Sequence, residues 1–169
     1  MSCRGTVLAK SATVARVSAL LTMLAATSGA WAATAPATLP ELGREATVVA
    51  LGRVEGKEGR WSDDRSAIRT DVSVAVLRVV KGDVRPGDRL SFRVAGGEVG
   101  DVGLAVSGEA RPKVGEEAVL LLAPAPDGKG LALVGGEEGY YPVRAGKVTV
   151  DGRAVGLDRF LAELQRSGR

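Results

Sequence analysis

From Ile68 to Val76 the chain alternates. Ile68, Thr70, Val72, Val74 and Val76 fall on one side of the pattern, with Arg69, Asp71, Ser73 and Ala75 on the other. This is the period of a strand with one buried face. After Val76 the phase slips, since Leu77 and Val79 are apolar at odd positions. A slip inside a long strand predicts a bulge and a sharp bend. Val72, Val74 and Val76 then belong to the core, with Leu77 and Val79 also buried. Residues 47–54 (TVVALGRV) are a β-branched run and predict the preceding strand. Residues 55–66 are charged and read as a loop carrying Trp61.

Downstream, Lys81-Gly82-Asp83 and Arg85-Pro86-Gly87-Asp88 are turn chemistry. Leu90, Phe92 and Val94 predict a third strand, interrupted by Gly96-Gly97 and followed by a weak strand at 104–106. The continuous apolar run at 118–122 (AVLLL) predicts a buried central strand. Asp127-Gly128 marks a hairpin connection to strands at 131–134 and 140–143, and Asp151-Gly152 another between 148–150 and 153–155. The period then changes. Leu157, Phe160, Leu161 and Leu164 lie on one helical face, with Asp158 at the start and Arg166 and Arg169 at the end, matching the helix dipole. So short a helix needs a surface to pack on. It is expected to dock through Phe160 and Leu164 and to plug one barrel end. The fold class is mainly β: a small OB-like barrel of about six to eight strands with a C-terminal helix.

Residues 1–32 have the pattern of a secretory signal peptide. Arg4, Lys10 and Arg16 precede or flank an apolar stretch at 17–26, and Ala30-Trp31-Ala32 supplies small residues for cleavage, so the mature chain is expected to begin at Ala33. The apolar stretch is about half the length that spans a bilayer, and the membrane is engaged only during export. Residues 33–45 read as a flexible lead-in, and 46–169 as a single β-barrel domain with its terminal helix. The expected location is periplasmic or extracellular.

Charge changes with the leader removed. The chain has 23 basic and 20 acidic residues, and three of the basic ones lie in the leader, leaving a balanced domain. A balanced domain with five remaining aromatics lacks the basic, stacking surface of a nucleic-acid binder, so no nucleic-acid partner is expected. Histidine is absent, and the one cysteine, Cys3, lies in the leader. Ser-His-Asp, Cys-His and His-based zinc chemistry are thereby excluded from the mature domain. No catalytic residue, metal or cofactor is assigned. Asp63-Asp64 and Glu137-Glu138 are the remaining carboxylate pairs, and such pairs in loops are usually solvated. Asp63, Asp64 and Asp71 lack the spacing of a calcium loop. Gly96-Gly97 and Gly135-Gly136 open no helix and are turns rather than phosphate loops. Trp61 either caps the barrel mouth or anchors a partner. Tyr140 and Tyr141, beside Glu137-Glu138, form a candidate recognition edge, with one ring inward and the other outward.

The segments quoted above resemble a broad group of exported bacterial proteins of unknown function. The resemblance covers residues 48–143. It is carried by Val49-Ala50-Leu51-Gly52-Arg53-Val54, Trp61, Ile68-Arg69-Thr70, Val79-Val80-Lys81-Gly82, Gly96-Gly97-Glu98 and Val106-Ser107-Gly108. It continues through Gly115-Glu116-Glu117-Ala118-Val119-Leu120-Leu121-Leu122 and Gly139-Tyr140-Tyr141-Pro142-Val143, and the helix with Phe160 looks similar too. More remotely, the long valine strand, the Lys81-Gly82 turn and the late Gly-Glu…Leu-Leu strand are similar to netrin-like domains. These include the tissue inhibitors of metalloproteinases and have an OB-type barrel. Those inhibitors chelate the protease zinc through an N-terminal cysteine. This mature chain begins at Ala33, so that mechanism does not carry over.

These features together point to an exported, non-enzymatic domain that binds a protein or peptide, with Trp61 and Tyr141 as candidate binding residues. The alternatives are a protease-inhibitor-like module and an enzyme with a cryptic carboxylate or Ser-Lys site.

Overall fold

The computed structural model describes residues 37–167. The expected signal peptide and its cleavage at Ala33 lie outside the described residues. Among the described residues, no helix is long and apolar enough to cross a membrane.

Five strands close a barrel. β1 (Val48–Trp61) pairs antiparallel with β2 (Ile68–Lys81), and β2 with β3 (Arg89–Ala95). β3 runs parallel to β7 (Leu131–Leu133), which pairs antiparallel with β6 (Glu117–Pro124), and β6 returns to β1. β8 (Tyr140–Pro142) adds to β6 as a sixth strand. Two ribbons complete the β structure: β4 (Gly97–Val99) with β5 (Val102–Leu104), and β9 (Lys147–Val150) with β10 (Arg153–Gly156). This is the OB-like barrel that the pattern of short strands predicts.

The slip after Val76 has a structural counterpart. Gly52 pairs with Val76 and Leu51 with Arg78, which leaves Leu77 as the extra residue on β2. Val80 is a second one, since Ala50 pairs with Val79 and Val49 with Lys81. Each extra residue re-aims the next side chain. Val79 thus packs with the barrel interior, while Leu77 and Val80 pack on the outer wall.

There are two cores. Val72, Val74, Val76, Phe92, Leu120 and Leu122 fill the barrel. Val49, Leu51, Val119 and Leu121 point the other way and pack against the helices. This double burial explains why β1 and β6 read as continuous apolar runs rather than alternations. The terminal helix α2 (Leu157–Ser167) buries Phe160, Leu161 and Leu164 in the outer core. It covers the wall and does not plug an end.

Three expectations need correction. Residues 33–45 contain a helix, α1 (Leu39–Glu45), instead of a fully flexible lead-in. Its start is fixed by Glu41, whose carboxylate accepts from the Thr38 N–H at 2.8 Å and the Thr38 hydroxyl at 2.7 Å. Its end is held by Lys81, whose Nζ donates to the carbonyls of Gly43 and Arg44, each at 3.1 Å. The predicted loop at 55–66 is mostly strand, because β1 continues to Trp61 and only a short turn separates it from β2. Charges on both faces hid that strand from a period-two search. The weak strand near 104–106 lies earlier, at β5, and residues beyond it form an irregular extended strap.

Candidate functional site

The strap at residues 105–113 crosses the barrel surface between β5 and β6 and has a groove on each side. It is extended and alternates: Ala110 and Pro112 are buried, while Arg111 and Lys113 are exposed. A Glu137 N–H bond to the Gly108 carbonyl at 2.8 Å ties it to the 3-10 turn Gly136–Gly139. At its far end Gly115 N–H donates to Val54 O at 2.8 Å, anchoring the strap to β1.

One groove has a volume of about 550 Å³ and is floored by Gly59, Thr70, Val94 and Gly96-Gly97, with Leu104 and Val106 on its walls. The floor needs its glycines. Gly97 has φ of 128°, and a Cβ there would overlap the Thr70 hydroxyl. That hydroxyl, the one buried polar side chain in the core among the described residues, donates to Gly96 O at 2.7 Å. Lys57, Arg111 and Lys113 stand around this groove against Glu98 and Glu109.

The other groove, about 730 Å³, lies between the strap and β8. Tyr140 turns into the barrel core and donates its hydroxyl to Glu116 Oε2 at 2.8 Å. Burial, together with that carboxylate, raises the Tyr140 phenol far above its usual range, so it stays protonated and donates to Glu116. Glu116 is therefore committed inside the fold. Arg111, Lys113 and Arg144 line the groove with Glu109 and Glu137. Neither Arg111 nor Lys113 forms an ion pair among the described residues.

The two residues singled out from the sequence are not brought together. Trp61 ends β1 opposite Ile68 and is 41% exposed, so it does not cap the barrel. Tyr141 pairs with Val119, whose row crosses β1 at Leu51, ten residues and roughly 30 Å of strand from Trp61. The Tyr141 ring packs on Phe160 with centroids 4.8 Å apart, which makes it part of the outer core as well as a groove wall. One tyrosine does point inward and the other outward, but the outward ring is covered by α2.

Asp64 and Asp71 are each engaged by neighbouring side chains. Asp64 accepts from the hydroxyls of Ser62 and Ser66 and from the Ser66 N–H, which holds its carboxyl down at about 2 and shapes the hairpin tip. Asp71 is paired to Arg93 at 3.1 Å. On the outer face of β2 and β3, where OB barrels commonly take ligands, Arg69 and Arg93 both reach Asp127 Oδ2 at 3.1 Å. Those arginines are internally neutralised. The signal that sequence reading missed is the strap itself. Glu109-Ala110-Arg111-Pro112-Lys113 alternates charged and apolar residues, a pattern obscured by the glycines around it.

No protein-family model and no curated protein matches the chain. The chemistry of the site therefore has to come from the side chains that form it.

Proposed function

We propose that this is an exported, non-enzymatic domain that captures an extended, acidic segment of another protein in the grooves beside the 105–113 strap. The observation that carries the reading is the pair Arg111 and Lys113, which form no ion pair among the described residues, on a strap with a groove along each flank. The strap carries Arg111 and Lys113 against Glu109, and the smaller groove sets Lys57, Arg111 and Lys113 against Glu98 and Glu109, which leaves it net positive. Apolar walls at Val94, Leu104 and Val106 give side chains of an extended segment somewhere to bury. Acidic peptides are favoured over nucleic acid because the two rings lining the larger groove, Tyr140 and Tyr141, are packed in the cores and offer no stacking platform.

A binding role is also favoured over catalysis. The carboxylates whose pKa is displaced, Glu41, Asp64 and Asp127, are all displaced downward, the wrong direction for a general acid. Selection from a displayed random-peptide library tests the proposal. Enriched peptides should carry Asp or Glu, and the R111E/K113E variant should bind them at least tenfold more weakly with an unchanged Tm. Enrichment that is equal on the wild type and that variant would remove the strap from the account.

A further inference from the structure

β1 has an edge that no strand pairs with among the described residues, although Lys57 and Gly59 also line the smaller strap groove. Up to Val54 it lies between β2 and the β6 side, the last bonds being Val54 N–H to Glu116 O and Gly115 N–H to Val54 O. Beyond that point, β2 is the one strand paired with it among the described residues. The direction of its free groups follows from the ladder. Gly96 N–H bonds to Ile68 O, and Val76 exchanges bonds with Gly87 and Asp88, so the even-numbered residues of β2 face β3. Ser73, Asp71 and Arg69 then face β1, where their partners are Gly56, Glu58 and Arg60. The backbone N–H and C=O groups of Lys57, Gly59 and Trp61 are therefore turned outward, a row of donors and acceptors that can template another strand.

Two charged side chains of that edge, Glu58 and Arg60, stay largely exposed. Glu58 stands directly opposite Asp71, and Arg60 directly opposite Arg69. Like charges face each other across the same pair of strands, an unfavourable arrangement. Within the copy Asp71 pairs with Arg93 and Arg69 with Asp127, each at 3.1 Å, while Arg60 reaches Glu58 along the same strand at 2.9 Å and Asp71 on the diagonal at 3.9 Å. Glu58 and Arg60 can each take a further opposite charge on the free flank.

A second copy supplies it in one register. Because the outward groups belong to odd-numbered residues, two copies paired antiparallel about a two-fold must be centred on a single residue. Centring on Lys57, Glu58 or Arg60 sets a charge against its own copy. Centring on Gly59 sets Glu58 opposite the second copy's Arg60, and Arg60 opposite its Glu58. Lys57 then lies opposite the second copy's Trp61, so its aliphatic stem and ammonium cover an indole that is otherwise 41% exposed. Gly59 at the axis brings no side chain into the crossing. Charged edges ordinarily keep copies apart; this one repels in the neighbouring registers and attracts in one.

We propose that the chain forms a two-fold dimer by pairing the open edge of β1 at residues 57–61 with the same edge of a second copy, antiparallel and centred on Gly59. The ladder is short, which makes the dimer weak and concentration-dependent. Sedimentation of the purified chain from micromolar to millimolar concentration tests it, with Trp61 fluorescence shifting to the blue as the dimer forms. E58R alone and R60E alone each place like charges opposite one another and should weaken the dimer at least tenfold. Mixing the two variants restores opposite charges at both positions and should give a heterodimer, and E58R/R60E in one chain should restore the homodimer. These side chains are exposed, so every variant should keep the wild-type Tm. A wild type that stays monomeric at every concentration overturns the proposal. So do single variants that dimerise as well as the wild type, or a mixture that fails to recover.

Discussion

Tyr140 and Tyr141 are neighbours in the chain with opposite fates. Tyr140 enters the barrel and donates to Glu116; Tyr141 lies under α2 against Phe160. Burial, reinforced by Glu138 and Asp151, pushes the Tyr141 phenol up to about 12, and Tyr140 is raised as well. A phenol whose folded pKa exceeds its unfolded value of about 10 stabilises the fold fully below that pH. The contribution is lost as pH rises from about 10 towards the folded value. Alkaline melts should therefore show Tm falling above pH ~10, with a shallower fall in Tyr141→Phe. An unchanged slope in that variant would mean the ring is solvated. Tyr140→Phe should cost about 1–2 kcal/mol at neutral pH, because Glu116 loses its donor. Trp61→Ala, by contrast, should change stability by less than about 1 kcal/mol, given how much of the indole faces water.

At the scale of elements, α2 is the piece whose packing most affects stability. Phe160 is 1% exposed at the centre of the outer core, and Phe160→Ala should cost about 3–5 kcal/mol in a chemical melt. Val74→Asp, at 0% exposure inside the barrel, should prevent folding. Lys81→Ala should loosen α1, seen as faster amide exchange at its last turn, because two carbonyls lose their donor. What the sequence revealed of these elements follows from how each is buried. One-faced elements such as β2 and α2 were legible from period alone, and the bulge at Leu77 was visible as a slip in that period. β6 was legible as a run because both its faces are covered. α1 was lost because Leu39 and Leu42 are too few to make a stripe, although Thr38 and Glu41 carry its capping signal. The outer half of β1 was lost because pairing to β2, without burial, holds it in place. The site fared worse. Trp61 and Tyr141 stood out as rare aromatics, whereas Arg111 and Lys113 become notable only once the fold leaves them without partners.

For the whole molecule, a closed barrel leaves few places to bind. The helices cover one wall, and the arginines on β2 and β3 are tied to Asp71 and Asp127. The strap grooves and the open end of β1 remain. Gly97→Ala offers a check on the smaller groove, since a Cβ there displaces Thr70 and should both lower Tm and weaken peptide binding. The most direct test of the account is a backbone amide map of the chain titrated with an acidic peptide selected on it. The account predicts shifts concentrated at 105–113 and Gly96-Gly97. Shifts clustered on Arg69, Arg93 and Asp127 instead, or on no contiguous surface, would contradict it.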